Sequence, residues 1–249
     1  MIKFFRKIRY DLMEQNKTGS SAEASAKAGK YLKYAIGEVI LVVIGILIAL
    51  QINNWNESRK IMQQETLALK QLKKDLLSEA IFINDANKNF NENLLYLKEV
   101  SNGNYENVDM ASFFLKIAST LDFSAMTSET KYLGLKFNGN LDIISNNVLR
   151  EKIIEFYENM HPDLESTINY HETFVMEQIE PSLVDKLPLN EDLSITNTKT
   201  AIVILNSSNL KTKVNYQIFY HKRFIKTFAE ITQSINEVVS FIDDELNNK

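Results

Sequence analysis

Apolar residues along this chain follow two patterns, one continuous and one periodic. The continuous pattern is Val39 to Leu50, VILVVIGILIAL, twelve positions without a polar side chain. Ala35, Ile36, Gly37 and Ile52 extend it to about 18 residues, interrupted by Glu38 near one end and Gln51 at the other. A helix needs roughly 20 residues to cross about 30 Å of hydrocarbon, so a transmembrane helix is placed at 34–55. The ten Val, Ile and Leu of the run contribute roughly −3 to −6 kcal/mol to insertion. A carboxylate costs up to about 3 kcal/mol at the centre and less near an end, so insertion wins despite Glu38. No small-x-small cleavage site follows Leu50, which favours a retained anchor over a cleaved leader.

The periodic pattern begins at Leu69 and runs through Leu72, Leu76, Ala80, Ile83, Ala86, Phe90, Leu94 and Leu97. Its mean step is about 3.5 residues, the seam of a bundle helix. No Gly or Pro occurs between Ile46 and Asn102, so the membrane helix is expected to run on into this one, ending at Asn102-Gly103-Asn104. Short segments are expected at Val108–Leu121 and from Thr127 or Ser128 to Asn138-Gly139, with Leu141–Ile144 as a connector. A long helix opens at Asn146 and carries Leu149, Ile153, Phe156, Met160, Leu164, Ile168 and Val175, with a kink or restart at Pro162. Pro181–Thr198 reads as irregular and Ala201–Leu205 as a short helix. A last seam runs from Leu210 to Ile242. Seven Gly and three Pro in 249 residues suit long helices. A helix of 40 residues spans about 60 Å, so the fold class is all-α: a single N-terminal transmembrane helix, then an elongated extracytoplasmic bundle over 56–249.

Charge gives the span a direction. Residues 1–33 hold eight Lys/Arg against three acids, a net +5, and the remainder, with 20 basic and 29 acidic residues, is −9. Only Arg59 and Lys60 lie within fifteen residues after Ile52, the end of the apolar run, so the positive-inside rule places the N-terminus in the cytoplasm. Tyr31 and Tyr34 on one side and Trp55 on the other suit the two interfaces. Ile2, Phe5, Ile8 and Leu12 recur at helical spacing opposite Lys3, Arg6, Lys7 and Arg9, a short amphipathic helix for an anionic leaflet. NKTGSSAEASAKAG reads as a linker. Within the span, Glu38, Leu41, Gly45, Ala49 and Ile52 share one face. Gly45-x-x-x-Ala49 permits close helix approach, and an intramembrane carboxylate beside it wants a protein partner. The alternative is that Glu38 snorkels to the inner headgroups.

Candidate chemistry is sparse. His171 and His221 lie on seams. If they met they would offer a metal or pH-sensing pair, the alternative being hydrogen-bonded core polars. His171-Glu172 lacks the second His of a helical zinc motif. There is no Cys, Gly-rich phosphate loop or nucleophile elbow. Carboxylates are expected on exposed helix faces and the Phe and Tyr stripes in the core. The acidic body argues against nucleic acid. No catalytic residue, cofactor or metal is expected.

Two blocks carry a resemblance. MIKFFRKIRYDLMEQNK at 1–17 with KYLKYAIGEVILVVIGILIALQINNWNE at 30–57 closely resembles the N-terminal signature of an uncharacterised family of membrane-anchored proteins of Gram-negative bacteria. GNLDIISNNVLREKIIEFYE at 139–158 is similar to that family's helical region. The resemblance implies an inner-membrane anchor with a periplasmic helical domain and supplies no activity. SSAEASAKAG at 20–29 departs from it as an insertion. The expectation is a non-enzymatic, membrane-tethered periplasmic interaction or accessory module. Its partners would be the bilayer and either a second copy or another membrane protein. The alternative is a ligand-sensing bundle that signals through a membrane partner.

Overall fold

The computed structural model describes residues 21–122, 130–207 and 209–248, and in these the chain is all-helical. α1 is one unbroken helix, Ser21–Asn102. α2 (Phe113–Ile117), α3 (Thr130–Phe137) and α4 (Asn147–Glu155) follow, then α5 (His161–Phe174), α6 (Glu180–Lys186), α7 (Thr198–Ser207) and α8 (Leu210–Asn247). The chain divides into two compact units, Met1–Met62 and Gln63–Lys249.

Two expectations about element boundaries are corrected. The supposed linker is helical from Ser21 onward, because Ala at 22, 24, 26 and 28 supplies the strongest helix former and no proline interrupts it. The irregular stretch expected from Pro181 is also helical at its start, whereas the restart expected at Pro162 is found. A π-helical turn, Phe156–Met160, precedes α5, and a second, Val175–Ile179, precedes α6. Each proline then falls in the first turn of the next α-helix, where a missing N–H is tolerated. The irregular stretch shrinks to 187–197. The amphipathic helix assigned to residues 1–14 lies outside the described residues.

The helix ends follow local chemistry. Gly103 and Gly139 take φ of +77° and +66°, the left-handed turns that stop α1 and follow α3. Asn146 caps α4, its Oδ1 accepting from the Leu149 N–H at 3.1 Å, while its Nδ2 donates to Glu245 on α8 at 3.0 Å. Asn146→Ala is expected to lower stability by about 1 kcal/mol, read as a shift in the urea midpoint.

Within the second unit the buried side chains form two apolar cores. One gathers Leu69 to Phe90 of α1 with Leu149, Ile153, Leu164, Ile168 and the Tyr220–Ile242 part of α8. The other gathers Leu97 and Val100 with Phe113, Phe114, Ile117, Val175, Ile179, Leu183, Leu205, Leu210 and Val214. On α1, α5 and α8 alike, the change from one core to the other falls at a buried polar residue: Asn93, His171 and Gln217.

Candidate functional site

Burial sharpens the seams. On α1 the buried positions 65, 69, 72, 76, 79, 83, 86, 90, 93, 97 and 100 keep alternating steps of four and three, as a heptad requires, with Ala68 and Leu94 buried beside them. Three of them are polar, Glu65, Glu79 and Asn93, each fourteen residues from the next. The expectation that carboxylates sit on exposed faces is thus corrected for Glu65 and Glu79, which are almost wholly enclosed. Each polar seam residue meets its own partner. Glu65 accepts from the backbone N–H and Oγ of Ser145 at 2.7 and 2.8 Å. Oε1 of Glu79 lies 3.6 Å from Nε2 of the buried His161. Asn93 reaches His221.

The Asn93 layer is the richest, and its hydrogen bonds fix its protonation. Gln217 donates from Nε2 to the Ile117 carbonyl at 2.7 Å, which turns its Oε1 toward Nε2 of His171 at 2.6 Å. A flipped Gln217 would set two carbonyl oxygens together, so His171 carries its proton on Nε2. Nδ1 of His221 lies 2.9 Å from the Gln217 carbonyl, an acceptor only, so it is protonated there. The other nitrogen, Nε2, is left to accept from Nδ2 of Asn93 at 2.9 Å. That Asn93 orientation is set by the Lys116 carbonyl, to which Nδ2 also donates at 2.9 Å.

Both imidazoles are therefore neutral. Their ring centroids are 6.2 Å apart, edge to face, with Phe90 4.6 Å from His221 and Tyr220 4.8 Å from His171. Burial, then the proximity of His171, pulls His221 down to about 4, and burial pulls His171 below the ordinary histidine range. A second proton on His221 would set two donors face to face across the Asn93 contact. On His171 it would land on Nδ1, which is buried with no hydrogen bond. Among the described residues no third His, Cys, Asp or Glu completes a metal-ligand set.

The residues singled out in the apolar run form one stripe of α1. Glu38, Leu41, Gly45, Ala49 and Ile52 are all exposed, and a Cβ at Gly45 would meet nothing within 4 Å. Trp55 is exposed; the side chains of Tyr31 and Tyr34 lie outside the described residues. Within Ala35–Asn102 lies a stretch long and apolar enough to cross a membrane, none of it buried.

Sequence reading found His171 and His221 but missed Glu65, Glu79, Asn93 and Gln217. The signal was present. Val214, Gln217, His221, Phe224, Phe228, Ile231, Ile235, Val238 and Ile242 keep alternating steps of three and four, and a polar residue inside that rhythm marks a buried one.

Comparison with known proteins gives one match. The profile of a family of unknown function, DUF6090, covers residues 38–176. Neither a curated protein nor a solved structure matches the chain.

Proposed function

The chain belongs to the DUF6090 family, and on that premise we propose that it is a non-enzymatic, membrane-tethered interaction module. The N-terminus lies in the cytoplasm, α1 crosses the bacterial inner membrane near residues 34–55, and the helical bundle lies in the periplasm. The observation that carries this reading is the bare apolar stretch of α1. Burying a Val, Leu or Ile side chain is worth about 1.5–3 kcal/mol, so ten of them held in water forfeit roughly 15 kcal/mol or more. That loss equals or exceeds the stability of an ordinary domain, and a bilayer removes it. The eight-to-two Lys/Arg bias supports the orientation.

Action is placed on helix faces, first on the Glu38–Ile52 stripe. A photo-reactive residue at Gly45 in native membranes is expected to trap a discrete protein partner or a second copy. Lipid adducts alone would count against the stripe as a contact face. The second reading, a ligand-sensing bundle, draws support from the Asn93 layer, where Oδ1 of Asn93 and Nδ1 of His171 are buried acceptors with no hydrogen bond. Thermal shifts of the full chain against metabolite and metal panels test it, and a flat response across them rejects it.

A further inference from the structure

The Phe and Tyr stripes were expected to lie in the core, and part of them does not. Tyr170 is 73% exposed, Phe219 52% and Tyr216 44%. Tyr216 lies 4.6 Å from Phe174, is stacked on Phe219 at 5.8 Å, and meets Tyr220 edge-on at 5.2 Å. The result is a continuous aromatic face across α5 and α8, with Tyr220 beneath it in contact with His171. Water-facing rings in this number make an apolar patch of the kind that marks a binding surface. Tyr, Phe and Arg are also the residues enriched at interface centres.

The α8 side of this face is opposite in charge to the body, while its α5 side carries three acids and no Lys or Arg. From Leu210 to Ala229, α8 carries Lys211, Lys213, Lys222, Arg223 and Lys226 and no acid, although the chain beyond residue 33 is net −9. Arg223 sits at the edge of the rings, its guanidinium 3.5 Å from Thr167 Oγ1. Among the described residues no carboxylate pairs with it, although Asp163, Glu165 and Glu172 lie on the neighbouring helix. A cation left free beside exposed rings gains most from an anion brought in by a partner, where the apolar surroundings strengthen a charge-assisted bond.

We propose that the face formed by Tyr170, Phe174, Tyr216, Phe219, Tyr220 and Arg223 docks a segment of a partner protein presenting apolar side chains interspersed with carboxylates. This rests on the reading of the chain as a module that acts by contact, and it adds the chemistry of the partner. The rings take the apolar side chains, and Arg223, helped by Lys222, takes a carboxylate. Rigid aromatic side chains lose little entropy on binding, and the basic half of α8 steers acidic segments toward them.

The test uses the full chain in nanodiscs of zwitterionic lipid. The probe is a fluorescein-labelled 18-residue amphipathic helical peptide with Leu and Phe on one face and Glu on the other. Saturable anisotropy is expected, weakened at least tenfold when every Glu of the peptide is Gln. The same loss is expected for Phe219→Ala and for Arg223→Gln, with circular dichroism and thermal midpoint unchanged. An all-Lys peptide that binds equally well, or affinity indifferent to both variants, would overturn the proposal. So would dimerisation abolished by Phe219→Ala, which assigns the face to a second copy, or capture of phosphatidylglycerol vesicles in place of the peptide. Membrane orientation does not enter this measurement, so its failure leaves the anchored topology standing or falling on its own test.

Discussion

Acidification from pH 6.5 to 4 is expected to remove on the order of 3 kcal/mol of stability through His221 alone. The group is held near 4 in the folded chain against about 6.5 when unfolded. Above pH 6.5 the ring is neutral in both states and stability is complete. Below it the unfolded chain binds a proton that the folded chain refuses, so stability falls until the folded ring also titrates near pH 4. Each pH unit in that window is worth about 1.36 kcal/mol, and His171, shifted in the same direction, adds to the slope. Glu158, Asp192 and Glu237, whose hydrogen bonds hold them below the ordinary carboxylate range, lose their contribution only in more acid solution. Urea midpoints between pH 6.5 and 5, compared between the parent chain and a variant at His221, therefore read the contribution of that ring. His221→Gln, which keeps an amide donor and acceptor, should flatten the curve there. An unchanged slope would mean that the ring titrates freely in the folded state.

The second large effect concerns the apolar wall of that layer. Phe224 is wholly buried and stacks on Phe228 at 5.8 Å, with Phe90 and His171 edge-on at 5.1 and 5.3 Å. Phe224→Ala is expected to cost about 3–5 kcal/mol, since removal of the ring loses its transfer energy and leaves a cavity that helices on three sides cannot close. The exposed Phe219→Ala is the internal control and should move the midpoint by no more than about 0.5 kcal/mol. Equal losses at the two positions would contradict the placement of the core.

Much of the helical layout was legible because the spacing is strong. Leu69 to Leu97 and Leu210 to Ile242 repeat over many turns, and Gly103 and Gly139 punctuate them where left-handed backbone is needed. Reading only apolar positions had a cost: Ala80 stood in for Glu79 and Ile218 for Gln217, while Leu94 is buried as expected but hides its buried neighbour Asn93. Each substitute is one residue away, which keeps the mean period but breaks the three-four alternation. The π-helical turns were not legible, because a single inserted residue that locally underwinds the helix alters no composition. Pro162 is expected to kink or restart its helix and Pro181 to open an irregular stretch, since a proline in a helix interior removes a hydrogen bond. Here each falls just after a π turn, where a new first turn requires no N–H. The exposed aromatic face was missed for a related reason. Tyr216 and Phe219 flank the seam by one or two positions, and only the packing of α5 decides which side of α8 is covered.

The buried polar residues have a common consequence. Glu65, Glu79 and Asn93 sit two heptads apart, each facing a different element, so sliding α1 by one heptad would set polar groups against apolar layers. A buried hydrogen-bonding group left without a partner costs about 1–3 kcal/mol, which makes these layers a register device.

The chain has no cysteine, which gives the central claim a clean test. Single cysteines at Lys17 and at Asn248, one on each side of the span, are labelled in spheroplasts with a membrane-impermeant maleimide. Asn248→Cys is expected to react in intact spheroplasts, and Lys17→Cys only after the membrane is permeabilised. A protected Asn248→Cys, or labelling of both sites from outside, would contradict the claim.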